Sequence, residues 1–326
     1  MESFEGKTIL VTGATGLIGS NLVDRIMTMK PAKVIVTGRS EKKLVATFSD
    51  YMDKKNFLII QHDAAKPIPI GVQDVDYIFH AAGPMEREIV MNRPVDVILP
   101  NILGLINLME LLGNQEVLTG KKGRIVVFSS VTVYNNPGVD NYDALESETT
   151  HAISLDAPTA CYAESKRMLE VIARSYAKQY GIDAVIARFS TVYGPTRNIP
   201  DTAFFEFIRK SIDGEDITVN SSAAPRRDNI YVDDAIGGLL CIAFYGKRGE
   251  AYNISSGGEL GNYAAVDEIA KVAAKVAGKG SHVLYKTGGS KKEGMTLNNN
   301  RLKSLGWTLR YGMEAGIAET IKKMNY

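Results

Sequence analysis

The sequence predicts an α/β protein built on a doubly wound parallel sheet. The stretch KTILVTGATGLIGSN, residues 7–21, reads as a buried strand, a turn with three glycines and the start of a helix. Short apolar segments that fit buried strands then alternate with helical segments as far as residue 188. This alternation predicts parallel strands, because a parallel connection needs a crossover that a helix usually supplies.

Length and composition set the broad class. The chain has 326 residues, of which 45% are hydrophobic and 23% charged, as in ordinary globular enzymes. It can hold one large domain, or a large domain and a smaller one. The formal net charge is +1. We therefore predict no broad binding surface for nucleic acid or for an anionic membrane.

The cysteines and the N-terminus predict a cytoplasmic protein. Cys161 and Cys241 lie far apart and without metal-ligand spacing, so we expect two reduced thiols and no metal site. The N-terminus shows no signal peptide, and no apolar run reaches the length expected of a membrane span.

The glycine-containing turn is the first candidate binding segment. Gly13, Gly16 and Gly19 would let the backbone turn tightly, approach a ligand and pack the helix against the strand. The helix start would offer unpaired N–H groups to a pyrophosphate. The other candidate binding residues of this segment are Thr15, Leu17 and Ile18. The alternative is an ordinary connection between a strand and a helix.

The end of the second predicted strand, residues 33–37, bears on cofactor choice. NAD-binding units often have an acid here that bonds the ribose hydroxyls. This chain has Arg39 instead, followed by Ser40. A guanidinium can pair with a 2′-phosphate, so the sequence favours NADP over NAD. Alternatively, Arg39 is a solvated charge beside a helix that Ser40 caps.

The next segments add further candidates. A third strand over residues 57–62 leads to Asp63, and a fourth over residues 75–79 leads to His80, for which we predict a structural role. Ala81 and Ala82 follow, where small side chains let the backbone lie against a flat ligand. The segment 92–113 predicts a helix that contains Asn101, with a kink or break at Pro100.

The predicted chemistry lies between the fifth strand and the helix at residues 160–180. Ser130 follows the fifth strand, residues 124–128, at the edge where open α/β sheets bind ligands. Tyr162 and Lys166 are four residues apart, so they share one helix face. The ammonium would lower the pKa of the tyrosine, and the serine would donate to the reacting oxygen. The polar segment 135–158 is long for a plain loop and predicts a flap.

With these motifs in place, the chain resembles the extended short-chain dehydrogenase/reductases of the nucleotide-sugar NAD-dependent epimerase/dehydratase family. The matching segments cover nearly the whole chain: TGATGLIG, HAAG, SSVTVY, YAESK, RFSTVYGP, RRDNIYVDD, EAYNISSG and LGW. The resemblance implies a Rossmann domain over residues 1–190, to which residues 228–254 return. It also implies a smaller substrate domain for a nucleoside diphosphate sugar over residues 191–227 and 255–326.

The resemblance also assigns residues. Asp63 matches the family residue beside the adenine, and Arg227 the arginine that often meets the sugar-nucleotide diphosphate. Tyr162 and Lys166 match the catalytic tyrosine and its lysine, and Ser130 the catalytic Ser/Thr. Further candidate substrate contacts are Met85, Thr132 and Thr191.

Three positions depart from the family pattern. The 4,6-dehydratases carry an Asp-Glu pair where this chain has Val131-Thr132, and the decarboxylases carry a glutamate at the position of Thr132. Thr191 replaces the usual Asn, and Asn135 stands where a glycine often occurs. PVDVI and YAESKRMLE nevertheless look similar to the decarboxylase branch.

The remainder predicts helices over residues 200–212 and 232–244, a helix that Asn262 caps, and closing helices over 298–305 and 311–324. Arg197, Arg226 and Arg227 are candidate phosphate ligands, although arginines of this kind also form solvated surface rims.

These observations favour an epimerase that removes and returns hydride at C4 of a nucleotide sugar, acting as a cytoplasmic homodimer. The alternatives are a ketoreductase or 4-dehydrogenase and, less favoured, a dehydratase or decarboxylase. A catalytically silent regulatory or RNA-binding relative is the non-enzyme alternative.

Overall fold

The computed structural model describes residues 3–69, 71–135, 141–149, 152–199, 202–289 and 294–324. The chain forms two compact units. Unit 1 comprises Met1–Asn135, Thr149–Arg188 and Leu239–Tyr252. Unit 2 comprises Asn136–Glu148, Phe189–Gly238 and Asn253–Tyr326.

Among the described residues, α-helices separate most of the strands as far as β7; the exceptions are β3 from β4 and β5 from β6. The strands are β1 Thr8–Thr12, β2 Lys33–Gly38, β3 Phe57–Gln61, β4 Tyr77–His80, β5 Arg124–Ser130, β6 Tyr142–Ala144, β7 Asp183–Phe189, β8 Thr191–Tyr193, β9 Ile217–Ser221, β10 Arg227–Tyr231, β11 Ala251–Ile254, β12 Tyr263–Ala264, β13 Val283–Thr287 and β14 Met295–Leu297. The α-helices are α1 Leu17–Met27, α2 Glu41–Thr47, α3 Arg87–Asn92, α4 Val95–Thr119, α5 Ala160–Gln179, α6 Ala203–Asp213, α7 Val232–Tyr245, α8 Val266–Ala277, α9 Asn300–Lys303 and α10 Met313–Lys323.

Unit 1 is built on a parallel sheet of seven strands. Their order is β11-β7-β5-β4-β1-β2-β3. In the central strand β1, Ile9 lies opposite Val34 of β2 and Tyr77 of β4. The order runs outward in both directions from β1, so the predicted doubly wound fold is confirmed. The carboxyl ends of β1, β4 and β5 therefore meet at one edge of the sheet.

The core of unit 1 explains why its strands read as continuous apolar runs. Leu10, Ile78 and Ile125 of three neighbouring strands are buried in one cluster with residues of α4 and α5. A parallel sheet is covered by helices on both faces, so its strands are apolar on both sides.

Helix α4 corrects two predictions. It runs as one helix from Val95 to Thr119 with Pro100 inside it, so of the kink or break predicted at Pro100 the break does not occur. In the described part of the chain it is also the one helix whose length and composition would suit a membrane span, contrary to the prediction that no apolar run reaches that length. It supplies Leu105, Leu108 and Met109 to the core of unit 1, as a core helix does.

Unit 2 contains short strands that the sequence did not reveal. Strands β12, β10, β14 and β6 form one sheet with β8 beside β10, and β9 pairs with β13. Asp228 of β10 is buried and accepts hydrogen bonds from the Ser256 hydroxyl at 2.6 Å and the Leu297 N–H at 3.1 Å. Burial raises the pKa of Asp228 to about 6. This carboxylate links β10 to the segments that follow β11 and form β14.

The unit boundaries differ from the predicted domains chiefly in two segments. Residues 141–148 belong to unit 2, where β6, Tyr142–Ala144, pairs with β14, so these three residues of the predicted flap form a strand. Residues 228–238 also belong to unit 2, because β10 pairs with β8, β12 and β14. Residues 136–140, 150 and 151 of the predicted flap lie outside the described residues.

Asn262 does not cap α8, contrary to the prediction. Its side chain donates to the Tyr311 carbonyl at 2.9 Å.

Candidate active site

The glycine turn between β1 and α1 forms a cradle with no room for a side chain at Gly13 or Gly19. Gly13 has φ +64°, and a Cβ placed on it would lie 2.7 Å from the Ala81 carbonyl carbon and oxygen and from the Ala82 nitrogen. A Cβ on Gly19 would lie 2.8 Å from the Gly13 oxygen. Gly16 is the N-cap of α1, with no side chain capping the helix start. Thr15, Leu17 and Ile18 lie partly exposed around this turn.

This cradle fits a dinucleotide. Close backbone approach and an uncapped helix N-terminus are what a pyrophosphate requires. Gly13 brings the turn against Ala81 and Ala82, the small residues that follow β4, so two predicted binding segments lie together. The residues that would hold the cofactor here are those of the turn and the two alanines.

The predicted adenosine end lies after β2 and β3. The Arg39 side chain is exposed, while its carbonyl accepts a hydrogen bond from the Gln61 amide at 3.0 Å. Ser40 caps α2 by accepting from the Lys43 N–H at 3.2 Å. Asp63 accepts from the Ala65 N–H at 3.0 Å. The proposed contacts of Arg39 and Asp63 with a nucleotide stay predictions.

His80, at the end of β4, is buried and lies 2.8 Å through its Nδ1 from the Thr12 hydroxyl. Burial, with a smaller contribution from the charge of Lys166, lowers the pKa of His80 to about 3. The imidazole is therefore neutral near pH 7, which fits the structural role predicted for it.

Asn101 of α4 lies beside Gly83, in the loop that follows β4. Its side-chain nitrogen donates to the Val97 carbonyl at 2.8 Å and to the Ser165 hydroxyl at 3.1 Å. Its Oδ1 is buried without a hydrogen-bond partner. A Cβ on Gly83 would lie 2.7 Å from that Oδ1 and 3.3 Å from the Lys166 ammonium nitrogen. Asn101 and Lys166 therefore converge on the backbone of Gly83.

Ser130, Tyr162 and Lys166 come together as predicted at the carboxyl end of β5. The Ser130 hydroxyl lies close enough to the Tyr162 phenol to lower its pKa. The Lys166 ammonium nitrogen lies 5.8 Å from the centre of the Tyr162 ring and donates to the Phe128 carbonyl at 2.7 Å. This arrangement places a phenol, a hydroxyl and a cation within reach of one reacting oxygen.

The pKa of Tyr162 differs from the prediction. Burial raises it, and the hydrogen bond with Ser130 only partly offsets this effect. Lys166 does not lower it, since its ammonium is bonded to the Phe128 carbonyl. Its own pKa is lowered by burial to about 8, against the opposing charge of Glu170. The expected activation of the phenol by the lysine is thus absent from this structure.

The predicted substrate residues fall into both units. In unit 1, Met85 is 70% exposed, and Thr132 is exposed with its N–H bonded to the Ser130 hydroxyl at 3.2 Å. In unit 2, Thr191 and Arg227 are exposed.

The neighbouring arginine of unit 2 is paired with a carboxylate. Arg226 donates from Nε and Nη2 to the two carboxylate oxygens of Glu268, at 3.1 and 3.0 Å. The phosphate contacts predicted for Arg226 and Arg227 stay predictions.

Sequence reasoning missed a buried group next to the site. Glu170 lies one helical turn after Lys166 and pairs with Arg188 of β7. Residues four apart lie on one helix face, and Tyr162, Lys166 and Glu170 have this spacing. This spacing could have identified Glu170 from the sequence.

Comparison with known proteins supports the family inferred from the motifs. The model of the NAD dependent epimerase/dehydratase family matches residues 9–255. UDP-glucuronic acid decarboxylase 1 of Xenopus tropicalis is 28% identical over 282 residues, which cover 86% of this chain and 62% of that protein. UDP-glucuronic acid decarboxylase 6 of Arabidopsis thaliana is 31% identical over 253 residues, 77% of this chain and 70% of that protein. The chain thus spans less than two thirds of the length of the Xenopus relative.

Solved structures support the fold. UDP-glucose 4-epimerase of Thermotoga maritima, determined with UDP-glucose, has a TM-score of 0.80 at 24% identity and covers 98% of each chain. The dTDP-glucose 4,6-dehydratase of Bacillus anthracis, determined with NAD, has a TM-score of 0.76 at 22% identity and covers 97% of this chain and 96% of that one. Because the family model matches most of the chain, including the glycine turn, Ser130, Tyr162 and Lys166, the protein is a member of the NAD-dependent epimerase/dehydratase family.

Proposed function

We propose that this protein is a nucleotide-sugar epimerase of the C4 type that uses NAD or NADP. The observation that carries the proposal is the grouping of Ser130, Tyr162 and Lys166 beside Thr132, where no acid is present. A ketoreductase or 4-dehydrogenase would use the same three residues. The relatives and solved structures, several of which are named for UDP-sugars or bind them, support a nucleotide sugar as the substrate class.

Each of the three residues has a role in moving one proton. Tyr162 exchanges the proton of the sugar hydroxyl through its phenol oxygen. Ser130 donates to that sugar oxygen and orients it. Lys166 donates to the Phe128 carbonyl in this structure, so it favours the phenolate of Tyr162 only if its ammonium turns to the phenol oxygen when substrate and cofactor are bound. The nicotinamide supplies hydride acceptance and return when it is bound. An epimerase lets the keto-sugar turn between the two transfers, whereas a reductase performs one of them.

The substrate nucleotide is assigned to unit 2. Arg227 is exposed there, whereas its neighbour Arg226 is bonded to Glu268. A guanidinium recognises a diphosphate through paired charge-assisted hydrogen bonds. Arg227 is therefore the proposed diphosphate ligand, with Thr191 as a further substrate contact.

A second candidate is the decarboxylation of UDP-glucuronic acid, because the relatives described above are decarboxylases of this substrate. Oxidation at C4 of a uronic acid places a ketone two carbons from the carboxylate carbon. Such a β-keto acid can lose carbon dioxide without a protein acid at Thr132. The missing acid therefore counts against a dehydratase more strongly than against this reaction.

The two candidates are separated by products. We would incubate the protein with NAD or NADP and a panel of UDP-, GDP-, CDP- and dTDP-sugars, including UDP-glucuronic acid, and follow the reactions by NMR. An epimer at C4 with the carbon skeleton intact supports the main proposal, and loss of carbon dioxide supports the second candidate. Loss of water, or no turnover with any sugar, contradicts both. Tyr162→Phe serves as the control, because it removes the proton-exchanging oxygen.

We also propose a homodimer formed through α4 and α5. Leu99 and Leu103 on α4, and Met168 and Val171 on α5, are 38 to 54% exposed although they are apolar. A second copy of the chain would cover these side chains. Sedimentation should show a dimer that the double variant Leu103→Glu/Val171→Glu converts to monomer. Leu155→Glu, a change at an exposed leucine outside both helices, is the matched control.

A cytoplasmic location is part of the same proposal. Neither Cys161 nor Cys241 takes part in a disulfide within the described residues. Cell fractionation with a tagged chain tests it, and recovery in the membrane or secreted fraction would contradict it.

A further inference from the structure

A buried ion pair between Glu170 of α5 and Arg188 of β7 lies next to the proposed catalytic residues. The Glu170 carboxylate, 5% exposed, accepts hydrogen bonds from Arg188 Nε at 2.8 Å and Nη2 at 2.6 Å. The Ser129 hydroxyl donates to the same carboxylate at 2.6 Å. Arg188 is 1% exposed, and its Nη1 donates to the Tyr134 hydroxyl at 2.6 Å. Three hydrogen bonds therefore converge on this buried carboxylate. None of these four groups has a part in the proposed proton transfer.

The ion pair connects to the site through the end of β5. The Phe128 carbonyl accepts a hydrogen bond from the Lys166 ammonium, Ser129 donates to Glu170, and Ser130 lies close enough to Tyr162 to lower its pKa. These are three successive residues, and side chains along a strand point alternately to opposite faces. Ser129 can therefore hold the end of β5 to α5 while the neighbouring Ser130 takes part in the reaction.

Glu170 also acts on Lys166 through its charge. Lys166 is buried and has one hydrogen bond to a neutral carbonyl, so burial lowers its pKa to about 8. Glu170 is the group whose negative charge opposes this effect. An ammonium that titrates this close to working pH depends on such a partner to keep its proton.

The other titratable and charged groups around Lys166 do not replace Glu170. His80, on β4, is neutral above pH 3 or so because burial and Lys166 lower its pKa to about 3. Tyr162, on the same helix, is neutral because burial raises its pKa. Arg188 is a cation and would repel Lys166 if Glu170 were absent. The remaining charged groups of α5 near this region are Arg174, 3.9 Å from the Glu170 carboxylate and 43% exposed, and the Glu164–Arg167 pair.

We propose that Glu170 is a positioning residue, which keeps Lys166 in its ammonium form and, through Ser129, fixes the end of β5 that carries Ser130. The effect on turnover rests on the proposed function. The effect on Lys166 does not, and it can be measured without substrate or cofactor.

The first experiment measures the protonation of Lys166 directly. Protein labelled with ¹³C at lysine Cε is titrated by NMR, and the Lys166 signal is assigned by its loss in Lys166→Arg. Glu170→Gln keeps the side-chain shape and removes the charge, so the pKa of Lys166 should fall by about one pH unit. Arg174→Gln is the matched control: it removes a charge that contacts the same carboxylate from the exposed side, and it should leave the Lys166 titration at its wild-type position.

Two results would overturn the proposal. One is a folded Glu170→Gln protein in which Lys166 titrates as in the wild type. The other concerns Glu170→Asp, which is used if Glu170→Gln does not fold because Arg188 is left unpaired. Glu170→Asp keeps the charge but moves it away from Lys166 by the length of one methylene, so the Lys166 pKa should fall by a smaller amount. An unchanged Lys166 pKa in this variant would refute the role of the charge.

If one of the nucleotide sugars is a substrate, turnover supplies a second measurement. On the alkaline side of its plot against pH, the basic limb, the kcat of Glu170→Gln should begin to fall at a lower pH than that of the wild type, because Lys166 loses its proton at a lower pH. KM should change little. Ser129→Ala should lower kcat without moving that limb, because it removes a hydrogen bond and no charge. A purely structural role would lower stability and leave the position of the limb unchanged. If no sugar is turned over, the proposed function fails while the lysine titration still decides this inference.

Discussion

Replacing Gly13 with alanine tests whether the glycine turn is a close-packed cradle. The residue has φ +64°, where an L-residue is strained. The added methyl carbon would lie 2.7 Å from three backbone atoms of Ala81 and Ala82, which cannot rotate away as a side chain would. The variant must shift either the turn or the loop after β4.

The expected cost follows from these two effects. The left-handed conformation costs alanine about 1–2 kcal/mol. Forcing a methyl group into packed backbone costs about 1–3 kcal/mol. Together they lower the free energy of unfolding by about 2–5 kcal/mol, a large share of the about 5–15 kcal/mol typical of a folded domain. Urea unfolding followed by circular dichroism measures this loss, and a fluorescence titration with NADH or NADPH should show weaker binding.

Gly16→Ala is the matched control in the same turn. Its φ is −73°, and a Cβ there would lie 3.6 Å from the Gly13 oxygen, an ordinary contact. It should cost less than about 1 kcal/mol, the scale of an altered N-cap. The reasoning is refuted if Gly13→Ala is as stable as Gly16→Ala, or if it binds dinucleotide as tightly as the wild type.

Three further predictions concern the site residues. Tyr162→Phe should abolish nearly all turnover while leaving the fold and the cofactor affinity intact. Lys166→Ala should abolish turnover and also weaken cofactor binding. Retained turnover in Tyr162→Phe would exclude the mechanism. Arg39→Ala should weaken NADP binding by about 1.5–3 kcal/mol and leave NAD binding nearly unchanged, as calorimetric titration would show; equal losses mean that Arg39 does not contact the 2′-phosphate. Arg227→Ala should weaken UDP binding by about 1.5–3 kcal/mol and leave the free energy of unfolding unchanged. Arg226→Ala should lower the free energy of unfolding by up to about 1 kcal/mol, because it removes the ion pair with Glu268. A loss of UDP affinity in Arg226→Ala alone would reverse these roles.

The sequence was sufficient to predict six of the seven strands of the unit 1 sheet, because most of them are buried on both faces; the short β11 was not predicted, and β3 at the edge is partly exposed. Apolar runs such as Ile9–Val11 stand out against polar turns, and the crossover helices fix the parallel order. Ser130, Tyr162 and Lys166 could be placed together for the same reason, since the carboxyl ends of parallel strands meet at one edge.

Unit 2 was harder to predict because its strands are short. β12 has two residues, and β6, β8 and β14 have three each, too few to show an alternating pattern. Their pairing partners are distant in sequence, as for Met295 opposite Tyr142. Glu170 was missed for a different reason: a glutamate at helical spacing reads as a surface residue until Arg188 is known to face it.

The three-part construction of unit 1 has a consequence for synthesis on the ribosome. The first 135 residues supply β1 to β5, but β7 and β11, which lie beyond β5 in the sheet, come from residues 183–189 and 251–254. Until these strands emerge, the backbone groups along one side of β5 have no neighbour. An unpaired, apolar strand edge is a template for association with other chains. A nascent or truncated chain that ends between residues 135 and 183 would therefore be aggregation-prone and dependent on chaperones, with the strand that carries Ser130 as its exposed edge.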